Sequence, residues 1–282
     1  MSLSIAIPTI PTIPEEASTA TPPLTPLPSP TAHANQVDLY LLLDESGSMH
    51  PRRNSVVGGF NEFVQKQRRL NPEGCRVSLF TFNEEVREVY FRRPLDQVPE
   101  LTVDDYQPDC MTALRDAMDH VLERIEQERE ETGTVLLIVM TDGEENASMA
   151  VSALQLKRKL ADFKGEVTYM GSNQDAILNG RGLGVAAEAS LNYRDENILD
   201  AIDSLGNAVG RVRRGESQTI RYTRRERERS SGGTDSFSGL QGFRDGFPLD
   251  VSHASFHSDS RSSQETQVLG EEEDMFVMQS SL

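Results

Sequence analysis

The sequence predicts an α/β domain built on a largely parallel sheet. Apolar runs of strand length alternate with segments of helical spacing between residue 36 and about residue 210. The first of these runs is apolar almost throughout, as a strand covered on both faces requires. Acidic and hydroxyl residues gather where two of the runs end, at the sheet edge where open α/β folds hold ligands.

Val37–Leu43 reads as the first strand. A helix follows near Asn54–Leu70, with Val56, Val57, Phe60, Phe63 and Val64 at helical spacing. Arg76–Asn83 and Glu85–Arg92 read as two strands joined by a tight turn, a hairpin. Thr112–Glu131 is a helix whose stripe is Leu114, Ala117, Met118, Val121, Leu122 and Ile125. Thr134–Thr141 is the most apolar strand. Val151–Phe163 reads as a helix with Leu154, Leu160 and Phe163 turned inward. Val167–Gly171 and Leu191–Tyr193 are weaker strands, and Asn197–Val212 is the closing helix.

The ends read differently. Residues 1–35 are rich in Pro, Thr, Ala and Ser and cannot bury enough apolar surface to offset chain ordering, which predicts a disordered arm. Residues 213–282 lose helical and strand periodicity and read as a disordered tail. That tail carries an arginine cluster from Arg213 to Arg229, an acidic patch Glu271–Asp274, and a final Met275–Met278 run that is either plain tail or a short docking motif. Glu216, Glu226 and Glu228 interleave the arginines, which favours a solvated or self-pairing segment over a nucleic-acid or lipid contact.

The 282 residues carry a formal charge of −17, which argues against general nucleic-acid affinity and favours metal ions or cationic partners. The two cysteines, Cys75 and Cys110, are too few for a disulfide framework and read as reduced thiols. Met1–Pro14 has no basic residue ahead of its apolar positions and prolines at 8, 11 and 14, so it does not read as a secretory signal. No apolar run approaches the ~20 residues of a membrane span. The expectation is a soluble cytoplasmic protein.

The first strand runs into Asp44-Glu45-Ser46-Gly47-Ser48, and the strand at 134–141 runs into Asp142-Gly143. If these strands are neighbours with their helices on opposite faces, both aspartates flank a topological switch point. Thr112 reaches the same crevice from a loop. Oxygen donors suit a hard cation such as Mg²⁺, which takes six of them at about 2.0–2.1 Å. Ser46, Ser48 and Thr112 offer neutral hydroxyls, and Asp44 and Asp142 offer charge directly or through water. An ion held mainly by neutral hydroxyls stays electrophilic and can take a partner's carboxylate. Gly47 lets the backbone fold closely around it.

Asp44-x-Ser46-x-Ser48, then Thr112, then Asp142-Gly143 resembles the metal-ion-dependent adhesion site of von Willebrand factor A domains in order and spacing. The resemblance covers about residues 36–212. It implies a three-layer, doubly wound, Rossmann-like fold with a six-stranded sheet and one antiparallel edge strand. It also implies Mg²⁺ or Mn²⁺ touched by Ser46, Ser48 and Thr112, with Asp44 and Asp142 acting mostly through water, and a protein partner that supplies an Asp or Glu. Tyr169–Ala176 is similar to a segment of stand-alone microbial members. The family loop before the threonine usually carries glycine, whereas here it reads Pro108-Asp109-Cys110-Met111. Asp109 either adds a carboxylate near the metal or caps the helix and faces solvent, and the second is favoured. Glu45, Asp109 and Glu144 form the expected ligand-binding rim, with Glu45, Glu144 and Glu145 read as exposed charges.

Two other classes compete with metal-dependent binding. A hydrolase would need a base for Ser46 or Ser48, and of the five histidines only His50 is close in sequence, with no third group evident. A metal-free scaffold domain would follow if the 108–112 loop were collapsed. No phosphate-binding Gly-x-x-x-x-Gly-Lys-Ser/Thr loop is present.

Overall fold

A computed structural model describes residues 36–130, 133–143, 145–172 and 176–233. The expected arm at 1–35, Glu144, and the acidic patch and Met275–Met278 run lie outside the described residues.

Six strands form one sheet: β1 (Val37–Asp44), β2 (Cys75–Phe82), β3 (Val86–Pro94), β4 (Thr134–Thr141), β5 (Glu166–Ser172) and β6 (Ser190–Tyr193). Their order is β3-β2-β1-β4-β5-β6. Only the β2–β3 hairpin is antiparallel. This is the doubly wound sheet with one antiparallel edge that the family resemblance implies. β1 is buried at every position, because it pairs with β2 and β4 and is covered on both faces. β3 carries a register slip where Arg92, at φ 46°, donates its backbone N–H to Ser78 Oγ at 2.8 Å.

The helices are α1 (Arg53–Leu70), α2 (Leu114–Gln127), α3 (Ala153–Asp162), α4 (Ala176–Leu183), α5 (Ile198–Arg213) and α6 (Arg224–Ser230). Leu41, Leu43, Ile138 and Met140 meet Val56, Phe60 and Phe63 of α1 and Ile202 and Leu205 of α5 on one face. α1 and α5 approach closely at Gly59, where a Cβ would stand 2.3 Å from Ile202 Cδ1. On the other face Tyr40 packs on Phe91, and Arg124 of α2 lies 3.7 Å over the Phe91 ring. The α2 stripe named above is buried at all six positions. Each large member contributes about 1.5–3 kcal/mol on burial, enough to seat the helix.

Three expectations are corrected, and one helix is added. α2 starts at Leu114, so Thr112 lies in the loop before it, not in the helix. In α3 Leu160 and Phe163 pack against the core as expected, but the fully buried leucine is Leu156, while Leu154 is 58% exposed, because Leu156 and not Leu154 shares a helical stripe with Leu160 and Phe163. α4 is a helix that its two glycines hide from pattern reading; Gly180 is required because a Cβ there would stand 2.5 Å from Ser190 Oγ.

The last correction is the largest. Residues 213–233, expected as the start of a disordered tail, fold onto the domain. Ile220 and Tyr222 are buried, and the Tyr222 hydroxyl lies 2.8 Å from Thr168 Oγ1. Thr223 and Glu226 form a capping box at the start of α6. Arg211 grips both oxygens of Glu226 at 2.8 and 2.9 Å. Arg227, also buried, donates to the carbonyls of Ser190, Ala187 and Glu188 at 2.7, 3.0 and 3.0 Å. Fixed carbonyls and one carboxylate make buried arginines tolerable, and the segment covers β6 at the sheet edge.

Candidate functional site

β1 and β4 are neighbours, so Asp44 and Asp142 emerge side by side at the carboxyl edge of the sheet. Asp44 is fully buried. Its Oδ1 accepts the Ser46 N–H at 2.8 Å and its Oδ2 accepts Thr141 Oγ1 at 2.5 Å. Tyr106 donates its hydroxyl to the Asp44 carbonyl. Burial pushes the Asp44 carboxyl above its ordinary value; hydrogen bonds from Ser46 and Thr141 pull it back, and the Asp142 charge adds to the rise. A cation would relieve that cost.

The chain leaves β1 through extended Ser46 and enters a 3-10 turn at Gly47, not an extended turn, and this brings Ser46 and Ser48 together with 3.2 Å between their hydroxyl oxygens. Ser48 Oγ donates to Asp142 Oδ1 at 2.6 Å. Asn146 holds Thr112, accepting its N–H at 2.9 Å through Oδ1 and donating its own N–H to the Thr112 carbonyl at 3.1 Å. These three segments converge on Gly143. A Cβ there would stand 3.2 Å from Thr112 Oγ1, 3.5 Å from Ser48 Oγ and 4.0 Å from Asp44 Oδ2. The five residues expected to hold the metal are therefore brought together around a space that glycine at 143 leaves open and that a Cβ would crowd at Thr112. Among the described residues no group of three His, Cys, Asp or Glu side chains is arranged for a metal. The donor set here is two carboxylates and three hydroxyls, all hard oxygens, and it fits Mg²⁺ or Mn²⁺ better than a soft ion.

The expected rim separates. Glu45 is 7% exposed and points away from the crevice. Its carboxylate accepts the Gln107 N–H and Arg87 Nη2, tying β1 to the loop before Thr112. It is an anchor, not a rim charge, because buried carboxylates need donors. Glu145 is likewise engaged, accepting from Ser148 N, Ser148 Oγ, Ala147 N and Arg115 N. Asp109 is exposed; it accepts the N–H of Cys110 at 2.8 Å, and the cap of α2 is Ala113, without a side-chain bond. The 108–112 loop rests against the β1 loop: the Gly47 N–H donates to the Cys110 carbonyl at 3.0 Å, the Asp109 N–H donates to the Glu45 carbonyl at 2.9 Å, and Cys110 takes φ 66°. That left-handed conformation favours glycine and costs a side chain about 1–2 kcal/mol. The glycine missing from the family pattern is missing at a position that needs it.

Sequence reading missed Arg52, Asp195, Thr141 and Asn146. Arg52 lies on Asp142 Oδ2, on the Ser48 carbonyl at 2.7 Å, and on Asp195. An arginine at the amino end of a helix opposes the helix dipole, and that signal was readable. The Ser46 and Ser48 hydroxyls face each other and Asp142; among the described hydrogen bonds no histidine reaches either.

Residues 38–177 match the family model of the von Willebrand factor type A domain. This chain carries a von Willebrand factor type A domain. Domains of this family serve generally as interaction and adhesion modules. Solved structures agree on the fold. The pilus adhesin SpaC of Lactobacillus rhamnosus GG, in an open conformation, superposes with a TM-score of 0.53 at 11% identity, over 63% of this chain and 30% of that one. Proximal thread matrix protein 1 of the mussel byssus superposes with a TM-score of 0.50 at 16% identity, over 63% and 47%. Another structure of that mussel protein, described with a zinc-occupied MIDAS motif, has a TM-score of 0.47 at 16% identity, over 63% and 46%. The match spans less than half the length of these proteins. A search of curated proteins returns no match. No helix among the described residues is long and apolar enough to cross a membrane.

Proposed function

We propose that this A domain binds a protein partner through Mg²⁺ or Mn²⁺, and that it is not an enzyme. Ser46, Ser48 and Thr112 would hold the ion by their hydroxyls, with Asp44 and Asp142 supplying charge. A bound ion supplies an electrophilic position for an Asp or Glu carboxylate of the partner. The observation that carries this reading is the convergence on Gly143 of oxygens from the β1 loop and Thr112. The protein's own residues do the rest. Glu45, Asn146 and Glu145 fix the loops, and Thr141 and the Ser46 N–H orient the Asp44 carboxylate. The cytoplasmic setting belongs to the same proposal; both cysteines are free thiols, Cys75 buried and Cys110 exposed.

The test is calorimetric titration of Mg²⁺ and Mn²⁺ into the full chain and its Asp44→Ala variant. One site in the parent, weakened about 10–100-fold in the variant, is expected. Equal affinity in both would refute the assignment. A metal-free interaction domain is the second reading, favoured by one observation: Arg52 already occupies Asp142 Oδ2.

A further inference from the structure

Two arginines flank the start of α1, Arg52 just before it and Arg53 as its first residue. The helix dipole there favours acidic residues, yet none stands in the first turn. Arg53 serves the neighbouring loop, donating to the Tyr106 carbonyl at 2.8 Å and to the Val103 carbonyl. Arg52 instead turns its guanidinium into the metal crevice. Nη1 donates to Asp142 Oδ2 and to the Ser48 carbonyl at 2.7 Å; Nε and Nη2 take the two oxygens of Asp195, Nε at 2.6 Å. Asp195, just beyond β6, also accepts Ser172 Oγ at 2.5 Å. The Arg52 and Asp142 side chains are 14% and 1% exposed. A carboxylate so enclosed needs a positive charge beside it.

We propose that Arg52 sets the charge of this site: it compensates Asp142 when no ion is present and leaves a bound ion short of negative charge, so that the ion keeps its pull on a partner's carboxylate. This rests on the function proposed above. Asp44 and Asp142 together would neutralise a divalent ion, and a neutralised ion has little attraction for a third carboxylate. Arg52 also forks onto Asp195, but that side chain is 39% exposed and screened by water, so the Arg52 charge acts mainly on the enclosed Asp142 and offsets part of its charge. The same charge repels the ion, so the parent protein binds metal less tightly than its oxygens alone would allow. Arg52 is a positioning residue here; its partners are Asp142 and the Ser48 backbone.

The sign of the effect separates this role from a merely structural one. Mg²⁺ alone is titrated into the full chain, Arg52→Gln, Arg52→Lys and Asp44→Ala, and thermal unfolding is followed with and without Mg²⁺. Arg52→Gln is expected to bind Mg²⁺ about tenfold tighter than the parent. Arg52→Lys, which keeps the charge without the fork, is expected to stay within about threefold of the parent. Mg²⁺ is expected to raise the Tm of Arg52→Gln more than that of the parent, because the ion replaces the lost counter-charge. If Arg52→Gln does not fold, Arg52→Met keeps the stem packing and serves as the neutral variant. Equal or weaker binding by the neutral variant overturns the inference, while binding by the parent that Asp44→Ala loses keeps the functional reading. No binding by parent or neutral variant overturns both. Binding by the neutral variant alone supports the inference and overturns the reading for the unsubstituted chain.

Discussion

Replacing Gly143 with alanine isolates the proposed metal crevice from the rest of the fold. The new methyl would stand 3.2 Å from Thr112 Oγ1 and 3.5 Å from Ser48 Oγ, so Thr112 must give by a few tenths of an ångström. The Gly143 backbone lies outside the left-handed region, so alanine meets no backbone strain. Its gain from a stiffer unfolded chain, about 0.4–1 kcal/mol, opposes the tight contact. Stability without metal should therefore stay within about 1 kcal/mol of the parent. The ion has no such tolerance, since Mg²⁺ requires near-ideal octahedral oxygens at about 2.0–2.1 Å. An affinity loss of about 100-fold, or about 2.7 kcal/mol, is expected. Urea unfolding with Mg²⁺ at 100 times the parent Kd reads both quantities. The parent should gain about 2.7 kcal/mol and the variant about 0.4 kcal/mol. A variant that gains as much as the parent would show that the space beside Gly143 is not where the ion is held.

Cys110→Gly should stabilise the protein by about 0.5–1 kcal/mol, because φ 66° strains a side chain and suits glycine; a lower urea midpoint in the variant would contradict the strain argument. A pH dependence comes from Glu226. Burial pushes its carboxyl up, but the Arg211 fork and the Thr223 N–H outweigh that and hold it below the ordinary value. Such a group adds stability that is present above the unfolded pKa of about 4.3 and is lost as pH falls through the lower folded value. Glu226→Gln should flatten that acid loss, measured by urea unfolding between about pH 2.5 and 6; an unchanged acid limb would mean that the Arg211–Glu226 pair adds nothing.

The arginine-rich segment shows where sequence reading stopped. Its composition is that of a solvated tail, and in part it behaves so: Arg224 pairs with Glu228 one turn on, at 2.7 Å, and is 89% exposed in its side chain. Yet Arg227, three residues later, is buried against three carbonyls of the β6 approach. No local pattern announces this, because those acceptors lie 37 to 40 residues away. In α3 the spacing did carry the answer: Leu156 stands four residues before Leu160 and seven before Phe163, on one helical stripe, and Leu154 does not. Glu45 was misread because its donors lie far along the chain, Arg87 in β3 and Gln107 in the loop before Thr112.

By itself the sequence determined the alternation of strands and helices, the antiparallel hairpin, and the segments that meet at the carboxyl edge of the sheet. These follow from local periodicity and from residues that end strands, which short stretches of chain carry in full. Tertiary structure alone decided that Glu45 is an anchor, that residues 213–233 close the β6 side, that Cys110 bears strain, and that Arg52 shares the crevice with Asp142. Each of these depends on a partner brought close by the fold, and a buried charge takes its meaning from the group that faces it.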